Sequence, residues 1–268
     1  MNSELHEFPK TNRLPQWRHF VALIIIGSYP IVSALSVKLR GATDSNDTVA
    51  FPTSIRGLLI FSLLQMAIFG AFWGIAWAFS RYDKDRLFLR WKEGILPVIW
   101  GAVYVISLYM AFGFILLFII MALSMFGIKG NDITQIIQNS KPQTGGLIDS
   151  IASNQDPLYK FLVVTLLPFV VAGLREELWR GATLAGLDQI CPKSWSTPMR
   201  NVFAIVISSV VFGLGHLYQG PSGIILTGIL GALLGIVVLR HGSIWPAVFM
   251  HGFIDAISFA AASQNVKP

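Results

Sequence analysis

Cysteine occurs once, at Cys191, which excludes an intrachain disulfide framework and any multi-cysteine metal site. Charge is also scarce. Asp, Glu, Lys and Arg make up 13% of the chain, about half the share of an ordinary soluble domain. The formal charge of +6 does not point to nucleic acid, because the Lys and Arg residues lie between apolar runs and form no basic stripe with interleaved aromatics. They read as flanking anchors. The HExxH spacing that sets two metal-binding histidines on one helical turn is missing, no convincing internal repeat is visible, and no stretch reads as a soluble appendage.

What is present is hydrophobic length: 54% of the residues are apolar. Apolar segments cover about 19–37, 57–80, 95–128, 161–187, 201–218, 222–239 and 244–262, each near or above the ~20 residues needed to cross a bilayer. The expected fold is an all-α polytopic membrane helix bundle of seven or eight spans. The count turns on 95–128, which is long for one span and short for two with a turn between them. Lys10, Arg13 and Arg18 precede the first apolar run, which is longer than a signal-peptide core and is expected to stay as an anchor. The tail 1–18 is accordingly expected on the cytoplasmic face. The basic cluster from Arg81 to Lys92 is expected to form a solvated anchoring loop on the same side. The division is an N-terminal group of membrane helices (19–128), a polar connecting loop (129–160), a catalytic bundle of the last four spans (161–262) and a short tail (263–268).

The chemistry-bearing residues lie in the second half. Arg175, Glu176, Glu177 and Arg180 interrupt an apolar run, where each charge costs roughly 2.5–3.5 kcal/mol at the centre of a span. On a helix either carboxylate can lie beside Arg180, three or four residues away. A loop or helix interface with solvated charges explains the same four residues. His216 follows Gly213 and Gly215 near a span end; alone it reads as an interfacial hydrogen-bonder. His251 and Asp255 are four apart and share a helix face. Taken together, a carboxylate beside one imidazole to deprotonate water, and a second imidazole to bind an oxyanion, suit amide hydrolysis. Two other classes fit the inventory: a non-catalytic immunity or scaffold protein, and a small proton-coupled transporter using Glu176 and His216.

The ordered motifs resemble the CPBP (Abi) family, which includes the CAAX prenyl endopeptidases and whose pattern is EExxxR, FxxxH, then HxxxN or HxxxD. Phe212–His216 and His251–Asp255 match the second and third motifs, within a resemblance covering about 160–260. The first is one residue short, since only Leu178 and Trp179 separate Glu177 from Arg180. The resemblance implies an intramembrane endopeptidase acting on a membrane-associated or lipidated peptide or protein. It assigns Glu176 to activate water with His216, and His251 and Asp255 to bind or orient the oxyanion, with Glu177 and Arg180 completing the site. Members have been described both as metalloproteases and as glutamic proteases. The expectation here is no cofactor, zinc on Glu176, His216 and His251 being the alternative. One discrepancy is geometric: counted from the expected span starts, His216 lies about 24 Å along its helix and His251 only about 10 Å along its own.

Overall fold

The computed structural model describes residues 14–41, 51–91, 94–128, 130–139, 141–142 and 145–264; Lys10, Arg13, Lys92 and 265–268 lie outside them. All regular structure among the described residues is helical: α1 (Gln16–Gly41), α2 (Ile55–Ser80), α3 (Leu96–Met125), α4 (Gly130–Asn139), α5 (Gly145–Ser153), α6 (Pro157–Leu166), α7 (Arg175–Ile190), α8 (Thr197–Leu214), α9 (Gly220–His241) and α10 (Trp245–Gln264). Among the described residues seven helices are long and apolar enough to cross a membrane, because α6, a π-helical segment (Leu167–Leu174) and α7 join into one rod, Pro157–Ile190. The protein is an integral multi-pass membrane protein.

The ambiguous segment is one helix. At 1.5 Å per residue, the 30 residues of α3 extend about 45 Å, more than a hydrocarbon core of about 30 Å and accommodated by tilt. Its first third packs on α10 through Pro97, Gly101 and Val105. The rest is apolar around its whole circumference and exposed, with Phe114, Leu117, Phe118, Met125 and Phe126 outward, as a lipid-facing helix requires. The polar stretch between the two halves holds the short helices α4 and α5, and Asp156 then caps the rod by accepting from the amides of Leu158 and Tyr159, with Pro157 opening the first turn.

The basic loop after α2 departs from the solvated anchor expected there. Tyr82, Arg86, Leu87 and Phe88 are buried. Phe88 O accepts from the amide of Ile244, Leu89 O from the Trp245 indole and Arg90 O from the Ser243 hydroxyl, so the loop forms a floor under the start of α10. The floor also meets α7: a β-carbon at Gly181 would lie 2.7 Å from Leu87 O and 3.2 Å from Ile244 Cγ2. α10 therefore starts level with Gly181, while α7 runs on to Ile190, about 14 Å further at 1.5 Å per residue. This late start lifts His251 to the depth of the glutamates and accounts for the discrepancy in helix position.

Candidate active site

Pro168 has no amide hydrogen to give and crowds the preceding turn, and from Leu167 to Leu174 the rod widens into π-helix. That segment presses directly on α10. A β-carbon at Gly173 would fall 2.8 Å from Val248 O, and one at Gly252 would fall 2.4 Å from the Phe169 ring. Two glycines thus bring the backbones together where the rod returns to α-helix and delivers Arg175, Glu176 and Glu177.

The two glutamates occupy different environments. Glu177 is fully buried and both of its oxygens are used, Oε2 accepting from Arg180 Nε at 2.9 Å and Oε1 facing His251 Nδ1 at 3.3 Å. Arg180, also fully buried, donates through Nη1 to Gly231 O at 3.1 Å and lies 4.5 Å from the Phe212 ring centroid. Glu176 pairs with its neighbour: Oε1 accepts from Arg175 Nη2 at 2.8 Å. Its Oε2 is buried without a hydrogen-bond partner and lies 3.7 Å from His251 Nε2. His251 Nε2 is also 3.7 Å from Asp255 Oδ2, so a carboxylate stands before each nitrogen of this ring.

His216 lies just past the end of α8 and not within it. Its Nδ1 is 2.9 Å from Phe212 O, one of the carbonyls a helix end leaves without an amide partner. A carbonyl only accepts, so Nδ1 carries the proton and a neutral ring has its lone pair on Nε2. His216 and Glu176 line the same cavity of about 70 Å³, room for a few water molecules, with Tyr29, Pro30, Ser33, Arg175 and Tyr218 around them. The structure thus brings Glu176, Glu177, His251 and Asp255 into one cluster and places His216 across a shared cavity. Arg180 reaches the cluster only through Glu177.

The contribution of α1 was not anticipated. Pro30 cannot donate to the carbonyl of Ile26, four residues back, and the Trp179 indole of α7 takes that oxygen at 2.8 Å. One missing amide thus ties α1 to the glutamate helix and sets Tyr29, Pro30 and Ser33 in the cavity wall. The signal in the sequence was a Tyr-Pro pair in mid-span, a polar group and a broken ladder where lipid tolerates neither unless protein covers them. Arg175 stands out in the sequence as a mid-span charge but without a role, and Gln65, an amide inside the apolar run of α2, was missed.

Of the residues proposed for zinc, His216 keeps Nε2 free and both His251 nitrogens face carboxylates; among the described residues no three His, Cys, Asp or Glu side chains form a group able to hold a metal ion. Cys191 is an unsuitable nucleophile: burial, helped by nearby Asp188, pushes its thiol above the ordinary range and suppresses the thiolate.

Comparison with curated proteins and with solved structures gives no match. The family model described as type II CAAX prenyl endopeptidase Rce1-like matches residues 158–257, from the first turn of the capped rod to just beyond Asp255, and over this stretch the chain is similar to that family.

Proposed function

We propose that the protein is an intramembrane endopeptidase that hydrolyses a peptide bond of a membrane-associated, lipid-modified substrate with a water activated by Glu176 and His216. The observation that carries this reading is the unequal treatment of Glu176: one oxygen is held by Arg175, and the other is buried, unpartnered and beside a water-sized cavity that His216 also lines. A water there can give its proton to Glu176 Oε2 while hydrogen-bonding to His216 Nε2. The hydroxide attacks the carbonyl carbon, and the oxyanion accepts from His251 Nε2–H, whose ring is oriented from behind by Glu177. Collapse breaks the C–N bond, and the proton on Glu176 passes to the leaving amine. Every step uses side chains of this chain, and none is routed through a metal.

The family description supplies the probe, a peptide carrying a farnesylated cysteine followed by three residues. The full chain in detergent should release the C-terminal tripeptide from it. Glu176→Gln and His216→Ala should each abolish release while the protein remains folded. Mapping the peptides that differ between cells making the wild type and cells making Glu176→Gln extends the test to natural substrates. Two cell populations with the same peptides, together with an intact probe, would refute the protease reading.

A further inference from the structure

Arg175 lies outside the family pattern as aligned on the two carboxylates, and its second partner lies outside the matched region altogether. Nη2 donates to Glu176 Oε1 at 2.8 Å, and Nη1 donates to Gln65 Oε1 of α2 at 3.0 Å. The ring of Tyr29 on α1 lies beneath the guanidinium, 5.9 Å from its central carbon. A guanidinium is planar with donors at fixed angles, so holding one terminal nitrogen sets where the other points. We infer that Gln65 is a positioning residue for catalysis, which, through Arg175, pins one oxygen of Glu176 and turns the other toward His251 and the cavity. This rests on the assignment of Glu176 as the base. It makes the reaction depend on α2, an element of the N-terminal half that touches no reacting atom.

A merely structural Gln65, holding α2 against α7, makes different predictions. Gln65→Met keeps the length and packing of the side chain and removes the acceptor. With the farnesylated peptide it should lower kcat about tenfold, the rate equivalent of one hydrogen bond to a charged group, and leave KM and the melting temperature near wild type. Gln65→Glu, which keeps an oxygen before Nη1, should restore most of kcat. Arg175→Gln should cost more, and adding Gln65→Met to it should cost nothing further, because the path to Glu176 is already cut. Unchanged kcat in Gln65→Met, or losses that multiply in the double variant, would overturn the inference. Glu176→Gln serves as the reference: if it is inactive while Gln65→Met is fully active, only this inference falls. Activity in Glu176→Gln would remove the base assignment and the inference with it.

Discussion

One helix, α7, carries two buried charge clusters about 18 Å apart along its axis, around Glu176–Glu177 and around Asp188. Around Asp188 the cations outnumber the carboxylate. Arg86 reaches Oδ2 at 2.7 Å from the floor loop, Arg200 of α8 contacts Oδ1, and among the described residues no histidine ion-pairs with this carboxylate. Around the glutamates, Arg175 and Arg180 each hold one carboxylate, Glu176, Glu177 and Asp255 all face the single ring of His251, and one Glu176 oxygen is left free beside a cavity. A buried carboxylate with an arginine on each oxygen and no cavity beside it has no water to act on, and its use is to hold elements together, here the floor loop, α7 and α8. A buried carboxylate with one oxygen unspent carries a desolvation cost that packing does not repay, which chemistry does explain.

The sharpest way to break this contrast is to neutralise each glutamate in turn. Glu176→Gln should lower kcat by a factor on the order of a thousand or more, since the proton acceptor is gone, with the melting temperature near wild type. Glu177→Gln should lower thermal stability because Arg180 loses its buried counter-charge, with a smaller loss of kcat through the His251 ring that Glu177 orients. Rate and melting measurements on the same preparations decide it. If Glu177 proves indispensable to the rate and Glu176 dispensable, the base has been assigned to the wrong residue.

Arg180→Ala comes next, with an expected loss of about 3–5 kcal/mol of stability, the usual cost of leaving one partner of a buried pair uncompensated. Accumulation in the membrane and chemical denaturation both read it. Arg180→Lys should recover only part, because a point-like ammonium cannot serve Glu177 and Gly231 O in the same fixed geometry. Full stability in Arg180→Ala would show the pair to be dispensable.

At the other cluster, Asp188→Ala should cost about 3 kcal/mol of stability through the two arginines it strands, while kcat per folded molecule stays at the wild-type value. A fall in kcat without a fall in stability would place Asp188 in the reaction and remove the distinction between the clusters.

How much of this could be read beforehand follows from what burial makes expensive. Charges in mid-span are costly enough to stand out, which is why Arg175, Glu176, Glu177 and Arg180 could be named from the chain, while His216, His251 and Asp255 are named by their spacing and by the motifs they resemble. The seven spans follow from length and hydropathy in the same way, once α3 is one helix. Which glutamate pairs with Arg180 could not be read, because spacings of three and four serve equally well. The buried floor loop was hidden for a related reason: its Arg and Asp residues resemble an interfacial anchor, and only contact with Asp188, over a hundred residues away, shows Arg86 to be internal. The cavity wall from α1 was masked because lipid and protein interior are equally apolar, so a membrane helix shows no amphipathic stripe marking its buried face.

The smallest effect is expected at Asp255. It stands one helical turn beyond His251, 3.7 Å from Nε2 and about a quarter exposed, so its interaction with the ring is longer and wetter than that of Glu177 with Nδ1. Its service is an acceptor oxygen before that nitrogen, keeping the N–H aimed while the site awaits substrate. Asparagine supplies an oxygen at the same place, and the resembling family accepts either residue there. Asp255→Asn should therefore lower kcat by no more than about threefold, while Asp255→Ala, which removes the acceptor, should lower it about tenfold, the cost of one hydrogen bond. The order of the two variants carries the test. A severe loss in Asp255→Asn equal to that in Ala would mean that the negative charge itself is required, placing Asp255 beside Glu176 as a second proton carrier and the free oxygen of Glu176 as only half of the base.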